Sequence, residues 1–207
     1  MHLPNLLSAL SLAGAAMAAS NATLMAKQER RQAAAVSPDC AIAERVFGTF
    51  WTSQTNTAGD DCCAWRAFMT CDAGNPRRIQ SFNFDVEQSH LNKPLSTEIG
   101  LFTEVTQIAL PHNGITGSIP TEIGLLKKLA VLDLSANSIS GNIPTEIGAL
   151  TLLTNLYLNN NVDLTGPIPT QIANFKSLEM LELANCSLTG SFPPDILNIK
   201  SLAYWGV

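Results

Sequence analysis

The 207-residue sequence predicts an α/β solenoid: short stacked turns with a parallel sheet along one side, closed at its amino end by a helical, cysteine-bearing cap. Two observations carry most of that expectation. A spacing of 24 residues relates Asn113 to Asn137, Gly117 to Gly141, Pro120 to Pro144 and Ile123 to Ile147, and a fixed period of this length marks stacked repeats. Within each period an x-Leu-x-Leu-x alternation places every second side chain on one face, as in a short strand.

Composition narrows the class. Apolar residues make up 46% of the chain, with 11 Pro and 13 Gly, which suits a folded rather than a disordered protein. Lys and Arg total 12 against 17 Asp and Glu, for a formal charge of −5, and no basic stripe exists to neutralise phosphates, so nucleic acid is not an expected partner. Charged residues are 14%, against about 25% in an average soluble domain, leaving the surface to Ser, Thr, Asn and Gln.

Residues 1–18 form a signal peptide: the apolar run starting at Leu6 is too short to span about 30 Å of hydrocarbon and reaches a small-x-small site at Ala16-Met17-Ala18. No later segment reaches 18 apolar residues, so no transmembrane segment is expected beyond it. Residues 19–36 are a linker or propeptide with a dibasic pair, Arg30-Arg31, and a glycosylation sequon at Asn21.

Residues 37–80 form the cap, because the first turn of a solenoid exposes its core and needs an atypical cover. Ser37-Pro38-Asp39, followed by Ile42, Val46, Phe47, Phe50 and Trp51, reads as a helix with Ser37 as N-cap, Pro38 at its first position and one apolar face. Cys40 lies on its opening turn, with Cys62, Cys63 and Cys71 downstream. Since a bond between adjacent Cys62 and Cys63 is strained, two pairings remain: Cys40–Cys62 with Cys63–Cys71, or Cys40–Cys63 with Cys62–Cys71. A zinc site is disfavoured in a secreted chain lacking suitable His ligands, and no cofactor is expected.

Residues 81–207 hold about five repeats, the last strand incomplete. The third runs Leu156-x-Leu158-x-x-Asn161 and then slips by one at Val162-Asp163, and the fourth runs Leu181-x-Leu183-x-x-Cys186. In the first, Phe84, Val86, Leu91 and Ile99 keep the apolar columns. Asn113, Asn137 and Asn161 fall where the strand turns inward, so their amides are expected to bond the main chain of adjacent turns, with Cys186 as a small donor in their place. Gly117, Gly141, Gly166 and Gly190 permit a bend. The Ile-Pro pairs at 119, 143 and 168 hold a second face extended, and Thr-Glu-Ile-Gly at 97, 121 and 145 suits a helical turn with Thr capping and Gly terminating it.

The pattern LxxLxLxxN-x-L-x-G-x-I-P-x-x-I-G closely resembles the plant-type extracellular leucine-rich repeat, as in receptor-like kinase ectodomains and polygalacturonase-inhibiting proteins. The resemblance also takes in the cap, Asp61-Cys62-Cys63-Ala64-Trp65 and then Cys71, although Ala67-Phe68 stands where that family commonly has Gly-Val. It implies a right-handed, horseshoe-shaped solenoid whose concave parallel sheet binds the partner, short helical turns on the convex side, and the pairing Cys40–Cys62 with Cys63–Cys71.

Catalytic chemistry is sparse. His2, His90 and His112 make no nucleophile-base pair, and no G-x-S-x-G, phosphate loop or H-E-x-x-H occurs. Asp85, Asp133 and Glu182 share the column between the two Leu of each strand, which makes a two-carboxylate glycoside hydrolase conceivable, but a solvated open face does not raise a carboxyl pKa. A binding surface fits better: Asp85, Gln107, Asp133, Asn155, Tyr157, Met180 and Glu182 line the face, with Tyr157 and Met180 as anchors and an acidic balance suited to a basic patch.

The chain is therefore expected to be a secreted, non-enzymatic recognition module for another extracellular protein, either a hydrolase or a receptor partner. The alternative is a polysaccharide- or ice-binding protein using the columns Thr97, Thr121, Thr145, Thr170 and Thr116, Ser140, Thr165, Thr189. Asn185-Cys186-Ser187 is a second glycosylation sequon. The last strand, around Trp205, presents an uncapped edge through which copies could associate.

Overall fold

A computed structural model describes residues 37–47, 62–64, 68–74, 78–84 and 91–207, all within the unit Val36–Val207. The leader, the linker with Asn21 and Arg30-Arg31, Phe50, Trp51, Trp65, Asp85, Val86, Glu87 and His90 lie outside the described residues.

Helix α1 (Pro38–Phe47) begins as its sequence predicts. Ser37 Oγ accepts from the Asp39 amide at 3.2 Å and the Ser37 carbonyl from the Cys40 amide, so the first orphan donors are satisfied. Its buried face carries Ala43, Val46 and Phe47. The Phe47 ring lies 4.8 Å from that of Phe82 and 5.0 Å from that of Phe84, sealing the first turn with aromatic surface. Disulfides join Cys40 to Cys62 and Cys63 to Cys71. The amino-terminal strand β1 (Met69–Cys71) runs antiparallel to β2 (Ile79–Asn83). Asp39, fully buried, accepts from Arg78 Nε at 2.9 Å and from the Ile79 amide at 2.8 Å, which ties the start of α1 to the start of β2. The same carboxylate raises the Arg78 pKa above its ordinary value.

Beyond the cap, the strands β3 (Gln107–Ala109), β5 (Val131–Asp133), β8 (Asn155–Tyr157), β10 (Met180–Glu182) and β12 (Tyr204–Gly206) add in parallel to β2, making a 7-stranded sheet in the order β1-β2-β3-β5-β8-β10-β12. The short strands β4 (Thr116–Gly117) and β6 (Ser138–Ile139) pair on a second side of the turn, and there β7 (Gly141–Asn142), β9 (Leu164–Pro167) and β11 (Ser187–Thr189) form a 3-stranded sheet. Each turn closes through a 3₁₀ segment at Thr97–Leu101, Thr121–Leu125, Thr145–Ala149, Thr170–Asn174 and Pro194–Asn198. Between them runs one apolar column, Phe82, Ile108, Leu132, Leu156 and Leu181, all fully buried. Each such side chain contributes about 1.5–3 kcal/mol by leaving water.

The helical turns differ from expectation in their chemistry. The N-cap positions are Ser96, Pro120, Pro144, Pro169 and Pro193, and the Thr residues stand one place later without capping. Proline holds the extended φ that an entry into a 3₁₀ turn needs, and only Ser96 adds a side-chain bond, to the Glu98 amide. Nor does glycine end the turn. Gly100, Gly124 and Gly148 are buried inside it, where a Cβ on Gly124 would stand 2.6 Å from the Glu146 carbonyl oxygen of the next turn.

The Asn ladder forms as predicted. Asn137 Nδ2 donates to the carbonyls of Leu110 and Leu134, each at 2.9 Å, while its Oδ1 accepts from the amides of Asn113 and Ile115, each at 3.0 Å. Asn161 repeats the pattern with Leu134, Leu158 and the Ile139 amide. Cys186 keeps a weaker share, its Sγ donating to the Leu158 carbonyl at 3.3 Å, and burial pushes its thiol pKa up. Gly117, Gly141, Gly166 and Gly190 all have positive φ, between 71 and 80°. The one-residue insertion is absorbed at exposed Val162 and Asp163, after which β10 pairs with β8 through Met180 and Asn155.

Candidate functional site

Side chains leave the parallel sheet in rows set by strand pairing. One row reads Gln107, Val131, Asn155, Met180 and Tyr204 across five adjacent strands. The next reads Asn83, Ala109, Asp133, Tyr157, Glu182 and Gly206. Strands about 4.8 Å apart place Asp133 and Glu182 either side of Tyr157, within reach of one partner surface.

The register corrects one expectation. Asn83, not Asp85, stands opposite Ala109, because Phe82 occupies the core column beside Ile108 and the first turn is longer than the 24-residue period by two residues. Asp85 itself lies outside the described residues.

Several of these side chains are held in place. Tyr157 is half-buried, and its hydroxyl accepts from Asn155 Nδ2 at 2.9 Å, while Asn155 Oδ1 accepts from Thr154 Oγ1 at 2.7 Å. The single Thr154 hydroxyl proton is shared between Asn155 Oδ1 and the Ala130 carbonyl, 2.9 Å away, so polar contacts run from the main chain of one strand to the phenol of the next. With its lone pair occupied, the Tyr157 hydroxyl retains a proton to donate. Asp133 Oδ1 accepts from the Ser135 amide at 2.9 Å and from Ser135 Oγ at 2.6 Å, which leaves Oδ2 open. Sequence reasoning placed Asp133, Asn155 and Tyr157 on this face but missed Thr154 and Ser135 as their braces; a hydroxyl beside each functional column was the available signal.

Charge on the face is acidic, from Asp133, Glu179 and Glu182, and Lys128 just ahead of β5 is paired with Glu104 at 2.5 Å. At the carboxyl end Tyr204 and Trp205 are half exposed, and the Trp205 ring packs 4.8 Å from that of Phe192. Asp133 and Glu182 are separated by a whole strand carrying Tyr157 on an open sheet, and among the described residues no group of His, Cys, Asp and Glu could hold a metal ion. No described helix is long and apolar enough to cross a membrane.

The hydroxyl columns of the second side are less regular than the sequence suggests. Thr116 pairs with Ser138, not Ser140, and Thr165 lies between Asn142 and Ser187. The strands there are offset from the 24-residue period, which interrupts the row with Asn142.

The family model for the Leucine Rich Repeat matches residues 128–150 and 177–199. No curated protein matches the chain. Among solved structures, the plant peptide hormone receptor RGFR1 in complex with RGF2 is 37% identical, with a TM-score of 0.54 over 55% of this chain; the chain spans only 18% of the length of that one. The BIR3–SERK2 complex from Arabidopsis thaliana is 25% identical, with a TM-score of 0.65 over 81% of this chain and 93% of that chain. The leucine-rich-repeat ectodomain of the receptor kinase SOBIR1, also from Arabidopsis thaliana, shares the fold at 24% identity and a TM-score of 0.67, over 83% and 90% of the two chains.

Proposed function

We propose that this chain, a leucine-rich-repeat protein of the plant extracellular type, is a non-enzymatic recognition module that binds an extracellular peptide or protein on its concave sheet. The observation that carries the reading is the row Asp133, Tyr157, Glu182 on three hydrogen-bonded strands, with the Tyr157 phenol braced by Asn155. An aromatic anchor whose rotamer is already held loses little entropy on binding, and two flanking carboxylates favour a Lys- or Arg-bearing partner. Two disulfides in the cap support an oxidising, extracellular setting. RGFR1 was solved with RGF2 and BIR3 with SERK2, so similar solenoids carry both a hormone and a protein partner.

The test is capture from extracellular medium on the immobilised chain, followed by binding kinetics with the captured partner. Tyr157→Ala should raise the off-rate most, whereas Asp133→Asn and Glu182→Gln should lower the on-rate and flatten its salt dependence. Kinetics unchanged by all three, with binding lost on replacing Thr121 or Thr145, would move the site to the opposite face.

A further inference from the structure

The tripeptide Asn185-Cys186-Ser187 has the amide, the non-proline residue and the hydroxyl that an N-glycosylation acceptor needs. The fold places these three side chains in different surroundings. Asn185 follows β10 with φ +59° and is exposed, and its Nδ2 donates to Asn160 Oδ1 at 2.9 Å. The next two side chains hold the turn together: Cys186 Sγ donates to the Leu158 carbonyl at 3.3 Å and Ser187 Oγ to the Val162 carbonyl at 2.6 Å. A substituent on Asn185 thus stands in solvent while the rest of the acceptor anchors it.

The preceding turns supply an internal comparison. His112, Ala136 and Asn160 share the same left-handed position just before the ladder residue. Asn160 is an exposed asparagine with φ +59°, the value of Asn185, but Val162 stands where a hydroxyl would be required. Geometry is matched at the two sites, and the acceptor hydroxyl separates them.

We infer that Asn185 carries an N-linked oligosaccharide, an inference that rests on the extracellular reading above. In the transfer, Asn185 Nδ2 forms a bond to C1 of the first sugar of a lipid-diphosphate-linked oligosaccharide. The C1–O bond to the diphosphate breaks, the lipid diphosphate leaves with the bonding pair, and one amide proton passes to a base. Because Ser187 Oγ is engaged with Val162 in the folded chain, transfer precedes closure of this turn. The sugar then stands beside Asn160, past the carboxyl end of β10. It closes that end to a macromolecule and leaves approach from the side of Gln107, Asn155 and Tyr157.

The test is expression of the full chain in a eukaryotic secretory host, with medium and cytosol analysed separately. Peptides are treated with a glycan-releasing amidase in oxygen-18 water, so that each formerly glycosylated Asn appears as labelled Asp and Asn185 is told apart from Asn21. Label is expected at Asn185 in most secreted molecules, and is expected to disappear in Asn185→Gln and to persist in Ser187→Thr, which keeps the hydroxyl. Val162→Thr is expected to add label at Asn160. Secreted protein with bare Asn185 would overturn the inference alone; a chain found only in the cytosol would overturn it together with the extracellular reading.

Discussion

The Glu122 carbonyl oxygen lies 2.7 Å from where a β-carbon on Gly100 would stand, and Gly124 and Gly148 meet the next turn in the same way. Glycine is used at these three positions for inter-turn clearance, since there the following turn leaves no room for a methyl. Gly124→Ala should therefore destabilise the solenoid by about 1–3 kcal/mol through overpacking, read as a lower midpoint in urea. The fourth turn has Ala173 at the corresponding place, so Ala173→Gly should change the midpoint far less. Equal effects at both positions would refute the clearance argument.

Asn137→Ala would leave the Leu110 and Leu134 carbonyls and the Asn113 and Ile115 amides without their side-chain partner. A loss of at least about 1–3 kcal/mol is expected, because buried main-chain groups are left unsatisfied. Asn155→Ala, which removes a bond on the wet face, should cost less than about 1 kcal/mol in the same denaturation experiment.

At Ala136 the backbone sits at φ 52°, a region in which Ala is strained and Asn is tolerated, as at Asn160 and Asn185. Ala136→Asn should stabilise by about 1 kcal/mol, raising Tm by about 2–4 °C. A fall in Tm would show that packing around the half-buried methyl outweighs the backbone term.

Cys186 has a raised pKa because burial disfavours its thiolate, so the folded state retains the proton longer than the unfolded state as pH rises. Its contribution to stability is complete below the ordinary thiol value of about 8.5 and declines as pH rises through the folded value. Alkylation of the folded chain at pH 8 should be several-fold slower than that of the chain unfolded in urea without reductant, a signal that reports on Cys186 because Cys40, Cys62, Cys63 and Cys71 are bonded. Equal rates would place the thiolate in water.

Cys63→Ser breaks the bond to Cys71 at the end of β1 and should cost about 2–5 kcal/mol, along with secretion yield. Cys186→Ser, which keeps a small donor for Leu158, should cost less than about 1.5 kcal/mol. Thermal melts of the two variants in parallel check the order.

What the sequence by itself determined is what one turn requires of its own residues. Asn137 needs partners on the turn before it, Gly141 needs positive φ and Leu132 needs an interior, and because each need recurs every 24 residues the stack, its ladder and its parallel sheet were legible. The two cap disulfides followed from a resemblance of motif, since spacing alone left two pairings open. Tertiary structure decided whatever depends on how one turn meets another or meets the cap. Phe82 rather than Phe84 took the Ile108 column, which set the register of the first turn and put Asn83 opposite Ala109. Asp39 found Arg78 across 39 positions, and Pro120 and Pro144 took the cap positions assigned to Thr. The Thr154 hydroxyl met the Ala130 carbonyl only when adjacent strands paired. A period reports what each turn repeats, whereas register, clearance and cross-turn bonds depend on distances between turns, and these exist only once the chain has closed on itself.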